Sequence, residues 1–127
     1  MSLSEKYKID IKVKTFYIEE QSDPDNDRFV FAYTIRIKNT GSIAAQLITR
    51  HWIIEDTNAK KTEVRGEGVV GEQPHLACGE SFEYTSGTVI ETSVGTMYGS
   101  YRMVADDGTE FDAEIPVFTL SIPRTLH

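Results

Sequence analysis

Apolar and polar residues alternate with a period of two over most of this chain. Tyr7, Ile9, Ile11, Val13, Thr15 and Tyr17 fall on one face, with Lys8, Asp10, Lys12 and Lys14 opposite. That is the pattern of a strand with one wet face. After a polar stretch, Glu19 to Arg28, a second strand places Phe29, Phe31, Tyr33, Ile35 and Ile37 on one face and Thr34, Arg36 and Lys38 on the other. Asn39-Thr40-Gly41-Ser42 reads as a turn. A third strand over Ala45 to Glu55 puts Ile48, Trp52 and Ile54 on one face and Leu47, His51 and Ile53 on the other. Apolar residues on both faces predict a central position or a partly covered outer face.

Thr62 to Val70 reads as a strand running into Gly66, Gly68 and Gly71, and glycines there predict a bulge or a close backbone approach. Pro74 breaks the ladder, Ser81 to Tyr84 resumes alternation, and Glu91 to Gly95 fits a helical turn or a loop. Thr96 to Val104 sets Met97, Tyr101 and Met103 against Tyr98 and Arg102. Asp107-Gly108 signals a hairpin. The last strand aligns Phe111, Ala113, Ile115 and Val117, and Pro116 points to an edge. About seven short strands without a 3.6-residue period predict an all-β antiparallel sandwich of immunoglobulin or fibronectin type III character, a small barrel being the rival. The expected division is a disordered N-terminus at 1–6, partly a remnant of expression, a single domain at 7–120, and a loose tail at 121–127.

Composition narrows the function. With 127 residues, 13 Lys+Arg and 20 Asp+Glu, the formal net charge is −7, which argues against a nucleic-acid partner. The single cysteine excludes an internal disulfide framework and a multi-thiolate metal site. Apolar runs are too short to span a bilayer, and the opening Met-Ser-Leu-Ser-Glu-Lys lacks the apolar run of a signal peptide. Together these predict a cytoplasmic location.

Four groups of residues are candidates for chemistry. Gly66-Glu67-Gly68-Val69-Val70-Gly71 matches G-x-G-x-x-G, but Pro74 and renewed alternation leave no room for the helix on which a dinucleotide's pyrophosphate would rest. A bulge accounts for the glycines more simply. A weaker possibility is an anion nest of exposed amides supported by Arg65 and opposed by Glu67 and Glu72. Asp23, Asp25 and Asp27 alternate like the start of a calcium loop, but Arg28 and Thr34 stand where that loop needs Gly and Glu. They remain a candidate for weak divalent-cation binding, with a plain acidic loop preferred. His51, His75 and Cys78 suggest zinc or a Cys/His pair only if further ligands converge, and ordinary side chains are preferred. Lys6, Lys8, Lys12 and Lys14 form a basic stripe on an acidic chain. The stripe either guards an edge strand against pairing or docks an acidic partner.

The chain resembles the bacterial ApaG family. The resemblance is carried by Arg50-His51-Trp52-Ile53-Ile54, by Glu63 to Pro74, and by Gly79 to Gly87. Gly99-Ser100-Tyr101-Arg102-Met103 and Ile115-Pro116-Val117-Phe118 complete it. One departure is Cys78, where the family usually has proline. The resemblance implies a fibronectin type III-like sandwich, an association with cobalt and magnesium efflux or resistance, and use as an appended interaction domain. It also implies a proposed pyrophosphate or nucleotide role for the glycine motif. The reading is a non-catalytic interaction module with no cofactor and an unidentified protein partner. Its candidate surface is His51, Trp52 and Ile53. The alternative is a pyrophosphate- or nucleotide-binding module using Arg65, Gly66, Gly68 and Gly71. Sheet edges offer a route to homo-oligomers.

Overall fold

The computed structural model describes residues 3–123. Eight strands follow in order: β1 (Ile9–Tyr17), β2 (Phe29–Asn39), β3 (Ala45–Asp56), β4 (Lys61–Glu67), β5 (His75–Leu76), β6 (Ser81–Ile90), β7 (Val94–Ala105) and β8 (Glu110–Ser121). They form two antiparallel sheets. One is ordered β1-β2-β6; the other is ordered β4-β3-β7-β8, with β5 pairing the same strand, β3. The expected antiparallel sandwich is therefore the observed architecture. The polar stretch after β1 folds as two 3-10 turns, Glu19–Gln21 and Pro24–Asn26.

The period-two pattern of β2 translates directly into burial. Phe31, Ile35 and Ile37 are at most 1% exposed, facing Leu47, Met97, Met103 and Leu120 from the other sheet, each fully buried. A core of this kind is what a sandwich holds between its two inner faces. Buried polar groups inside it are satisfied. Asn39 donates to the carbonyls of Ile43 and Leu76 and accepts from the Gly41 amide, all at 2.9 Å. The Tyr84 and Tyr101 hydroxyls meet at 2.6 Å and so join β6 to β7 across the sandwich.

Two strands depart from simple alternation. In β3 the register shifts between Leu47 and Thr49, and the extra residue reverses the parity of everything after it. Leu47 and Trp52, expected on opposite faces, both point into the core at 0% and 3% exposure. In β8 the register shifts where Met97 faces Phe118 and Gly99 faces Ile115. Pro116 and Val117 lie in that interval. Val117, expected inside with Ile115, is 66% exposed, while Leu120 is fully buried. Pro116 does lie on an edge strand, as its missing N–H requires.

Of the expected lead-in, residues 1–2 lie outside the described residues. Leu3–Lys6 forms one helical turn. It is tied down from several sides. The Ser42 amide donates to the Lys6 carbonyl at 3.2 Å, the Lys6 ammonium sits 3.5 Å from Asp107, and Tyr7 packs on Phe111 with ring centroids 5.4 Å apart. Of the expected tail, residues 124–127 lie outside the described residues.

Candidate functional site

The glycine motif occupies a break in an edge. Both β4 and β5 pair along the same side of β3, and the chain between them turns out and back at Val69-Val70-Gly71-Glu72. The Val69 and Glu72 backbones exchange both hydrogen bonds, at 2.8 and 2.9 Å. The two residues between them have positive φ, 44° at Val70 and 82° at Gly71, the hallmark of a two-residue I′ hairpin. No helix follows, so the dinucleotide geometry is not built here.

The first two glycines each answer a steric demand. Gly68 has φ 63°, and a Cβ there would run into the Glu72 carbonyl oxygen. At Gly66 a Cβ would lie 2.7 Å from the Arg50 guanidinium. Arg50 follows the β3 bulge, which gives it the inward parity of Trp52. Its Nη1 donates to the carbonyls of Glu67 at 2.9 Å and Gly68 at 2.8 Å. The bulge residue Ile48 completes the fastening: its carbonyl accepts from the Gly68 amide at 2.8 Å and from the Gln73 side chain at 3.0 Å. The arrangement drives Val69 fully into the core and leaves Val70 57% exposed. Of the motif's amides, those of Gly68 and Val69 are committed to carbonyls, as is that of Glu72 just after it. Val70 and Gly71 stand at the tip.

Arg65 points out from β4 and shares Glu63 with His51. The Arg65 guanidinium reaches Glu63 at 2.8 Å and His51 Nε2 lies 3.0 Å from the same carboxylate oxygen. These contacts hold the Glu63 carboxyl below its ordinary range, the Arg65 hydrogen bond most and that to His51 next. Ile53 is half-buried on the same outer face, opposite Glu63 and Tyr98. Trp52 is not on that surface, contrary to the expectation for the His51–Trp52–Ile53 patch. The bulge turns it inward, edge-on to Tyr101 and Phe118 at centroid distances of 6.3 and 5.8 Å.

The remaining candidates stay apart. Asp23 accepts from the Asn26 side-chain amide at 2.7 Å within the second 3-10 turn, and Asp27 closes that turn with φ 54°. Among the described residues no three His, Cys, Asp or Glu side chains gather as a metal site. His75 pairs with Asp106 at 2.8 Å and Cys78 is exposed, so neither joins His51.

The lysine row belongs to a larger surface than the sequence suggests. On the outer face of the first sheet, Lys12 stands directly opposite Arg36, Lys14 opposite Thr34, Phe16 opposite Ala32 and Asp10 opposite Lys38. On the far side of β2, Arg36 faces Glu83 and Thr34 faces Thr85. Lys12, Lys14, Phe16, Thr34, Arg36 and Glu83 line a groove of about 340 Å³. Phe16 is 49% exposed. Among the described residues, the ion pairs of the molecule engage Lys6, His51, Lys60, Arg65, His75 and Arg102. None engages Lys12, Lys14, Arg36 or Lys38. Phe16 was not singled out in the sequence, although an aromatic at an even position among lysines was the available signal. The contribution of Arg36 needs the register of β1 on β2.

A family model described as the ApaG domain matches residues 19–105. Along its whole length the chain is similar to curated relatives. It is 61% identical to "Protein ApaG" of Thiobacillus denitrificans and 58% to "Protein ApaG" of an Azoarcus species, covering all of each chain. Among solved structures it is similar to a putative ApaA protein from Bordetella pertussis. The TM-score there is 0.92 at 52% identity, covering 95% of this chain and 98% of the other.

Proposed function

Because the chain belongs to the ApaG domain family, we propose that it acts as a non-catalytic protein-interaction module. The observation that carries this reading is the outer face of the first sheet. There Phe16 stands half-exposed among cations that have no ion-pair partner, on a chain whose formal net charge is −7. Phe16 ends the row, next to Lys14 and opposite Ala32, and an exposed aromatic bordered by polar groups suits a binding patch. The family association with cobalt and magnesium efflux is placed downstream of such a contact. Among the described residues no helix is long and apolar enough to cross a membrane, and in this reading the module acts on ion traffic through whatever it binds.

The test is site-specific crosslinking in cells with a photoreactive phenylalanine analogue at position 16. Glu114, on the outer face of the other sheet, is the control position. The reading expects an adduct of discrete mass at 16 and none at 114. Equal adducts at both, or none at either, would count against it.

A second reading keeps a pyrophosphate ligand at the glycine motif. What favours it is that the Val70 and Gly71 amides point from the hairpin tip without a carbonyl partner, and that Arg50 and Arg65 flank Gly66. Amide shifts confined to Gly66–Gly71 on titration with pyrophosphate would support it, and a flat spectrum would remove it.

A further inference from the structure

We infer that the groove on the outer face of the first sheet receives an extended acidic segment of a partner protein, carrying two carboxylates two residues apart followed by an apolar residue. This rests on the reading of the chain as an interaction module and adds what the partner must look like.

One arrangement on this face does not help the fold. Lys12 and Arg36 are directly opposite across β1 and β2, and like charges so placed destabilise a sheet. On a chain with seven more acidic than basic residues, carboxylates were available to relieve them. Glu83 faces Arg36 from β6, yet no ion pair holds either cation or Lys14 beside them. Edge protection does not explain Arg36, because β2 is the central strand of its sheet.

The spacing then defines the ligand. Outward residues along a strand recur about every 6.8 Å, and side chains two apart on an extended peptide recur at the same interval. A peptide laid over β1 thus brings one carboxylate to Lys12 and Arg36 and a second to Lys14, and its next same-side residue reaches Phe16. The ends and width are also set. Asp10, next outward residue before Lys12, repels a third carboxylate. Glu83, beyond Arg36, repels a path displaced towards β6 and keeps the peptide over β1 and β2. Thr34 does not compete for the ligand, since its hydroxyl is joined to that of Thr85 at 2.8 Å.

The experiment titrates the isotope-labelled chain with a synthetic peptide of the order Ser-Glu-Ser-Glu-Ser-Phe-Ser. Parallel titrations use a peptide of the same composition with adjacent glutamates and the phenylalanine first, and pyrophosphate alone. The ordered peptide is expected to give saturable shifts at Lys12, Lys14, Phe16, Thr34 and Arg36, weakening as salt is added. Lys14→Ala should weaken it about fivefold, and Lys14→Glu should abolish saturation. Lys61→Glu, on an exposed strand of the other sheet, should change nothing. The inference is overturned if the reordered peptide or pyrophosphate binds this face as well as the ordered peptide, or if the ordered peptide leaves these amides unmoved. An unmoved spectrum together with an adduct at position 16 refutes the acidic segment alone. An unmoved spectrum without that adduct refutes the module reading as well.

Discussion

Val70 shows how much this fold accepts at a single residue. A β-branched side chain at φ 44° is in a backbone region that such residues avoid, and in a I′ hairpin the position before glycine favours asparagine. The side chain is 57% exposed, so nothing in the core requires it. Val70→Asn is therefore expected to stabilise the chain by about 1 kcal/mol, read as a higher urea midpoint with an unchanged slope. The neighbouring glycines are explained by contacts the sequence could only hint at. The sequence predicts a bulge or a close backbone approach at Gly66 and Gly68; Gly68 meets the Glu72 backbone, whereas Gly66 meets a side chain. It could not show that the intruder at Gly66 is the Arg50 guanidinium, because that depends on Arg50 facing inward.

Arg50 faces inward because of events at the scale of the strand. Alternation assigns faces correctly along β2, where every residue advances the pairing by one. It fails after Leu47 in β3 and after Ile115 in β8, where an inserted residue reverses parity. Alternation therefore sets Trp52 opposite Leu47 and Val117 beside Ile115, and neither placement holds. Pro116 signalled the edge it lies on, but its composition said nothing of the reversal that follows. The basic groove was half legible for a related reason. Lys12 and Lys14 are visible in one strand, whereas their union with Arg36 is a property of register. The two sheets are coupled by the Tyr84–Tyr101 pair, in which burial holds both phenols well above their ordinary range. Removing one hydroxyl leaves the other buried without its partner. Tyr101→Phe is expected to cost about 1–2 kcal/mol, and Tyr84→Phe with Tyr101→Phe less than the sum of the two. A double-mutant cycle by denaturant unfolding measures this; strict additivity would show that the pair is not coupled.

Across the whole molecule, charge is sorted by region. The outer face of the first sheet carries Lys12, Lys14, Arg36 and Lys38, while Glu19, Glu20 and Asp25 lie in the 3-10 turns and Asp107 lies between β7 and β8. The N-terminus is fastened at one such acidic point. Asp107 accepts from the Tyr7 hydroxyl at 2.6 Å and from the Thr109 amide at 2.9 Å. These bonds, the Tyr7 hydroxyl first, hold its carboxyl well below the usual range. A depressed carboxyl contributes stability that is complete above its unfolded value, about 3.9, and is lost as pH falls below it. Acidification should therefore leave the Tyr7–Asp107 bond in place until the pH is well below the usual carboxylate range. In Tyr7→Phe the Asp107 carboxyl should titrate closer to about 3.9, as followed by carboxyl carbon shifts.

The cations of the first sheet are, in this reading, kept unpaired for a partner. The direct measurement is the yield of the crosslink from position 16 in two charge-reversed backgrounds. One carries Lys12→Glu with Lys14→Glu; the other carries Lys60→Glu with Lys61→Glu, at the turn between β3 and β4. Both change the net charge equally. The account predicts that the first background loses the adduct and that the second retains it. Equal yields in the two backgrounds would contradict it.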